Sequence, residues 1–138
     1  MYEIGQGVTQ DYKTTAKWYT LSAEQGYAKA QYNLGFMYDN GKGVAQDYKA
    51  AVKWYTAAAE QGAAGAQSNL GVMYEYGLGV IQSFVKAHAW YNIAASSGNT
   101  EHAAENRDII AQKMTPAQIA QAQELATRCM KSNYKDCD

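Results

Sequence analysis

Two cysteines, two histidines and thirteen carboxylates are the groups of this 138-residue chain best suited to do chemistry. Their spacing argues against a reaction centre. His88 stands in an apolar stretch two residues before Trp90, where a structural or solvent-edge histidine fits better than a catalytic one. His102 falls in the first turn of a later helix and reads as solvated. Cys129 and Cys137 lie eight residues apart. In an oxidising compartment they can close a disulfide, or they can stand as two free thiols. Their spacing matches no zinc pattern and no histidine is near them in sequence. The carboxylates are dispersed. No Ser/His/Asp order, nucleophile elbow or phosphate loop is present, and the Gly-x-Gly pairs follow no strand. The chain therefore reads as a non-enzyme with no cofactor and no metal.

The elements around these groups are repetitive, with a period of 36 residues. Gly5-Gln6-Gly7-Val8 recurs as Gly41-Lys42-Gly43-Val44 and as Gly77-Leu78-Gly79-Val80. Asp11-Tyr12 recurs as Asp47-Tyr48 and, weakened, as Ser83-Phe84. Trp18-Tyr19 recurs as Trp54-Tyr55 and Trp90-Tyr91. Ala23-Glu24-Gln25-Gly26 recurs as Ala59-Glu60-Gln61-Gly62 and decays to Ala95-Ser96-Ser97-Gly98. Asp39 and Glu75 are thus equivalents one unit apart, and no acid/base pair. Such periods mark stacked supersecondary units, which build binding surfaces more often than active sites.

One unit reads as helix–turn–helix. Ala28 to Asn40 forms the first helix, with Ala30, Leu34, Met37 and Tyr38 on one face at about 100° per residue. Gly35 lies inside it and Gly71 repeats it. An interior glycine costs about 1 kcal/mol relative to alanine, so its return at one register predicts a close approach that a Cβ would block. Gly41-x-Gly43 ends the helix. Asp47 caps the second helix, as Asp11 would in the first unit. That helix runs from Tyr48 to about Gln61, burying Tyr48, Ala51, Tyr55 and Ala58, and Gly62 closes it. Neither helix buries its apolar face alone, so the units must stack. The three tryptophans read as repeated interface anchors, each buried aromatic contributing about 1.5–3 kcal/mol.

Lys and Arg number 12 against 13 Asp and Glu, so no basic stripe invites nucleic acid or an anionic membrane. No apolar run approaches the roughly 20 residues of a membrane span, so direct membrane insertion is not expected. No signal-peptide pattern opens the chain. Met1-Tyr2-Glu3 aligns with Met37-Tyr38-Asp39, so the first unit starts in mid-helix, as a chain cut from a longer array would.

The segment Ala28 to Tyr38 (Ala-x-Ala-Gln-Tyr-Asn-Leu-Gly-x-Met-Tyr), with Gly41-x-Gly43-Val44, Asp47-Tyr48, Ala51, Trp54-Tyr55 and Ala58-Ala59-Glu60-Gln61-Gly62, resembles the Sel1-like repeat, a variant of the tetratricopeptide class. The resemblance covers residues 1 to about 98. It implies an all-α, right-handed solenoid with the first helix of each unit lining the concave face. It implies a scaffold or adaptor for a protein or peptide partner. The open first repeat separately allows self-association with another chain. Many similar proteins are bacterial and periplasmic or exported. Some members of the family are linked to cell-wall or β-lactam compounds, which gives an enzyme or binding protein of that kind as the alternative.

If the first helices line a groove, the side chains opposite Leu34 should be exposed there. In the second unit these are Lys29, Tyr32, Asn33, Phe36, Asp39 and Asn40. In the third they are Ser68, Asn69, Val72, Glu75 and Tyr76. Tyr32 and Phe36, spaced i and i+4, would make an aromatic patch. Asn33 and Asn69 could hydrogen-bond the backbone of an extended peptide.

After Gly98 the repeat stops. Asn99 or Thr100 can cap a helix from Glu101 to about Lys113, with Ala103, Ala104, Ile109, Ile110 and Met114 apolar. Thr115-Pro116-Ala117-Gln118 reads as N-cap, N1 proline and capping box. The helix it starts, to about Lys131, offers Ile119, Ala122, Leu125 and Ala126 on one face. The expected organisation is repeats over 1–98 (units 1–26, 27–62 and 63–98), capping helices over 99–131 and a flexible tail over 132–138.

Overall fold

The structure, a computed structural model, describes residues 8–98 and 100–138. The Met1-Tyr2-Glu3 register, the Gly5-Gln6-Gly7 turn and the Asn99 cap lie outside the described residues. Among those described there are seven helices and no strand. They are α1 (Val8–Glu24), α2 (Ala28–Asn40), α3 (Tyr48–Ala59), α4 (Ala64–Tyr76), α5 (Phe84–Ser97), α6 (Thr100–Ala111) and α7 (Pro116–Lys131). The closest pairings are α2 with α3 and α4 with α5; α1 packs on α2, α3 on α4, and both α6 and α7 on α5. Helical hairpins leaning on their neighbours in series make an all-α repeat solenoid.

The turn inside each hairpin explains both of its glycines. Gly41 ends α2 in the left-handed region (φ 66°), where its N–H reaches the Met37 carbonyl. Gly43 (φ 75°) has a second reason: a Cβ there would sit 2.2 Å from the Tyr12 carbonyl oxygen of α1. Gly79 makes the same approach to Tyr48 of α3. The second glycine is therefore a contact between units as well as a helix end. The loop is closed by the Asp47 N–H donating to the Tyr38 carbonyl (3.0 Å) and by the Gln46 amide donating to the Asp39 carbonyl (2.8 Å). Ser83 and Gln82 repeat both bonds on Tyr74 and Glu75.

Asp47 caps α3 by accepting the Ala50 N–H at 3.2 Å, and Ser83 caps α5 through Lys86. Asp11 does not hold that place. Helix α1 already runs from Val8, which puts Asp11 in its first turn. Helix α3 stops at Ala59, short of the expected Gln61, and a turn carries the chain to Gly62. The capping box at α7 is complete: Gln118 N–H reaches Thr115 Oγ1 at 3.1 Å, and Thr115 N–H reaches Gln118 Oε1 at 2.9 Å.

The interior glycines behave as their recurrence predicts, against a ring rather than a backbone. A Cβ on Gly35 would lie 2.7 Å from the Tyr55 ring, and one on Gly71 would lie 2.5 Å from the Tyr91 ring. Each tyrosine is fully buried, with its ring filling the space a Cβ would take. The central cluster joins Tyr55 to Leu70, Met73, Trp90, Ile93 and, from α7, Leu125 and Cys129. A second cluster closes Tyr91 and Ala87 under Ile110, Met114 and Ala122. In α6, Ile110 is buried but Ile109, expected on the same apolar side, is 55 % exposed.

The tryptophans do not act alike. Trp90 is buried, Trp54 is half-buried against Leu34 and its neighbours, and Trp18 is 61 % exposed. The shared register makes a tryptophan an anchor only where another element covers it. Trp90 has that cover in the cluster it shares with Leu125 and Cys129 of α7.

Candidate functional site

Each tyrosine in a glycine gap ends in a carboxylate. The Tyr55 hydroxyl donates to Asp39 at 3.0 Å, and the Tyr91 hydroxyl donates to Glu75 at 2.7 Å. Burial, first, and then the facing carboxylate hold both phenols neutral, with pKa values well above the ordinary tyrosine range. Asn69 of α4 acts on the Tyr55 phenol in the opposite sense. Tyr55, bonded to Asp39 of α2 and packed with Leu70 and Met73 of α4, ties one unit to the next.

Glutamines form a second inter-unit tie. Gln31, buried in α2, donates to the Ala23 carbonyl of α1 (3.2 Å), and Gln67 in α4 donates to Ala59 of α3 (3.1 Å). Gln61 donates both to the Gly26 carbonyl and to Gln31 Oε1, each at 2.9 Å. Its counterpart one unit on is Ser97, which pairs with the Tyr134 hydroxyl instead (3.2 Å). That exchange leaves Gln67 Oε1 buried without a partner. Sequence reasoning quoted Gln31 and Gln61 without giving them a role. The signal was their recurrence at Gln67 and its failure at Ser97.

The expected groove residues divide accordingly. Asp39, Glu75 and Asn69 are half-buried and serve the tyrosine ties. Tyr32 is half-buried, 6.0 Å from Tyr55 between ring centroids, and its ring meets Gly65 of α4. Ser68, expected to be exposed, is buried, and Val72 one turn on packs with Ile110 and Met114. The physical reason is common to these positions. Tyr32 meets Gly65 of the next unit and Val72 meets Ile110 and Met114, so these registers face a neighbouring element instead of opening onto a groove. Lys29, Phe36, Asn40 and Tyr76 are exposed; Asn40 turns its amide back to the Phe36 carbonyl (2.9 Å).

Of the expected residues, the structure brings Asn33 and Phe36 into one cavity. This space of about 280 Å³ lies at the seam of α1 and α2 and is lined by Tyr12, Thr15, Tyr19, Asn33, Phe36, Met37 and Lys42. Phe36 is 44 % exposed at its edge, and the Lys42 ammonium stands 5.4 Å from the Tyr12 ring centroid. Thr15 Oγ1 is buried without a hydrogen-bond partner. Two aromatic rings of α1, one of α2, one cation and one amide make a wall suited to a side chain with an apolar body and a polar tip. Tyr12, Thr15, Tyr19 and Lys42 were missed because the reading followed first helices only, and three of the four sit on a second helix.

His88 is 3 % exposed, its Nδ1 has no partner, and burial, then the Arg107 charge, lowers its pKa, with Asp108 opposing. His102 is exposed. No three His, Cys, Asp or Glu side chains among the described residues converge as a metal site requires. No described helix is long and apolar enough to cross a membrane. Cys129 and Cys137 are joined in a disulfide.

The fold defines an all-α helical-repeat protein. The chain belongs to the Sel1 repeat family, whose pattern matches residues 1–27, 28–62 and 64–99. Among solved structures it is similar to c5321, a protective antigen present in uropathogenic Escherichia coli strains displaying an SLR fold. That match has a TM-score of 0.89 and 35 % identity, over 94 % of this chain and 28 % of the other. It is also similar to a Sel1 repeat protein from Oxalobacter formigenes, with TM-score 0.67 and 30 % identity, over 99 % and 63 % of the two chains. The chain thus spans less than two thirds of either relative. No curated protein matches it. Sel1 repeat proteins generally act as scaffolds for protein–protein interaction.

Proposed function

We propose that this chain is a protein-interaction module without catalytic activity, and that its partner, a peptide or protein, is anchored at the seam between α1 and α2. The observation that carries this reading is the aromatic cavity there, edged by the exposed Phe36 and topped by Lys42. The whole surface measures 7786 Å². A standard interface of about 800 Å² per partner would take about a tenth of it, so affinity rests on a few anchors more than on area. The experiment is to compare partner capture by the wild-type chain, Phe36→Ala and Ile109→Ala. Loss of binding on Phe36→Ala alone, with the melting temperature unchanged, supports the reading. Equal binding by all three overturns it.

Self-association is a second reading, favoured by the exposure of Trp18 (61 %) and Leu21 (49 %) on α1. Light scattering at rising concentration tests it: a growing mass that Trp18→Ala abolishes supports it, and a strict monomer contradicts it.

A further inference from the structure

The segment after α7 is tied down by four independent means. Cys137 is bonded to Cys129, whose side chain is fully buried. The Ser132 hydroxyl donates to the Cys129 carbonyl (2.9 Å) and accepts the N–H groups of Lys135 (3.1 Å) and Asp136 (2.8 Å). Arg128 pairs with Asp136 at 3.1 Å and donates to the Asp138 carbonyl. Tyr134 reaches across to α5, where its hydroxyl pairs with Ser97, and its ring covers Gly62 in the α3–α4 turn. Tyr134 and Cys137 both rest on the central cluster.

One feature of this loop opposes the closed state. Asn133 and Tyr134 are consecutive non-glycine residues at positive φ (57° and 67°), the only two among the described residues. Asn133 holds the ordinary left-handed position that follows a helix, closed by the Tyr134 N–H donating to the Cys129 carbonyl (2.8 Å). Tyr134 is different: a bulky side chain holds positive φ only where its surroundings impose it. The closed loop is therefore sprung at Tyr134, and the ties above hold it shut.

We propose that residues 129–138 form a redox latch, closed over the α3–α4 turn and the end of α5 when the disulfide is intact and released when it is reduced. Cys137, half-buried, is the sulfur open to attack, and Cys129, fully buried, is the leaving group. A dithiol reductant supplies the electrons. Its thiolate bonds to Cys137 Sγ, the Cys129–Cys137 bond breaks, and Cys129 Sγ leaves with the electron pair and takes a proton. The second thiol of the reductant then displaces Cys137 as a thiol, and the reductant departs as a disulfide. Release lets Tyr134 relax to negative φ. Tyr134 then leaves Ser97 and Gly62, which uncovers the apolar edge of the central cluster.

The test is amide hydrogen exchange, read by mass spectrometry on the full chain, oxidised and then treated with dithiothreitol. The latch predicts that amides of residues 132–138 exchange at least tenfold faster after reduction, that those of α2 to α5 do not change, and that reoxidation restores protection. Cys137→Ser, which leaves Cys129 in its buried place, should match the reduced protein. Unchanged protection of 132–138 would overturn the proposal, since the hydrogen bonds alone would then hold the loop. Protection lost equally across α5 and α7 would also overturn it, because the bond would then be a staple of the whole fold. Two titratable thiols in the untreated, air-oxidised protein would overturn it as well.

Discussion

Helices α1 and α5 carry equivalent registers in opposite circumstances. Trp18 and Leu21 in α1 are 61 % and 49 % exposed; Trp90 and Ile93, at the same registers two units on, are 5 % and 1 % exposed. Thr15 borders a cavity, while Ala87 at its register is sealed beneath Ile110 and Met114. The difference teaches that a repeat residue's burial is decided by the element laid over it, and only secondarily by its own unit. That is the expected behaviour of a quasi-one-dimensional fold, where stability is a sum of unit and interface terms. Helices α6 and α7 close one end. The α1–α2 seam stays open, and its aromatic lining is the anchor proposed above for a partner.

The largest effect should separate the two helices directly. Trp90→Ala removes a buried ring from the central cluster and should cost about 3–5 kcal/mol, read as a lower urea midpoint. Trp18→Ala should stay within about 0.5 kcal/mol. Equal losses would break the comparison. Next come the glycine gaps, which should be alike in both complete hairpins. Gly71→Ala and Gly35→Ala each force a Cβ into a buried tyrosine ring and should cost about 1–3 kcal/mol, with Gly71, the tighter gap, the more sensitive. A neutral Gly71→Ala would mean that Tyr91 is free to move.

A smaller, distributed effect is alkaline. Tyr55 and Tyr91 have folded-state pKa values above their unfolded value near 10. The unfolded chain therefore loses their protons first. Their contribution is fully present below about pH 10 and is lost progressively as pH rises above it. Absorbance at 295 nm should show two tyrosines that ionise only as the fold melts. Early ionisation of all twelve tyrosines would contradict the carboxylate-tied sockets.

Much of the fold was legible because the 36-residue recurrence restricts each register three times over. The Gly35 and Gly71 gaps, the Asp47 cap and the Thr115 capping box all follow from residue type and spacing. The candidate site was less legible. Helical angle told which side chains point away from Leu34, but it did not tell on which side the next first helix stands. Tyr32, Ser68 and Val72 were therefore placed in a groove when they face a neighbour. Asp39 and Glu75 have hydrogen-bond partners 16 residues away, Tyr55 and Tyr91, at a separation that no local pattern announces. Their constant offset across two units was the available clue. The cavity depends on Tyr12, Thr15 and Tyr19 meeting Asn33 and Phe36, and that junction exists only once two units are stacked.

The central claim is tested most directly by placing a photo-crosslinking amino acid at position 36 and, separately, at position 109, and irradiating each with the partner. The account predicts a covalent adduct from position 36, at the edge of the α1–α2 seam, and none from position 109, an equally exposed apolar site on α6. Adducts in equal yield from both positions, or from 109 alone, would contradict it.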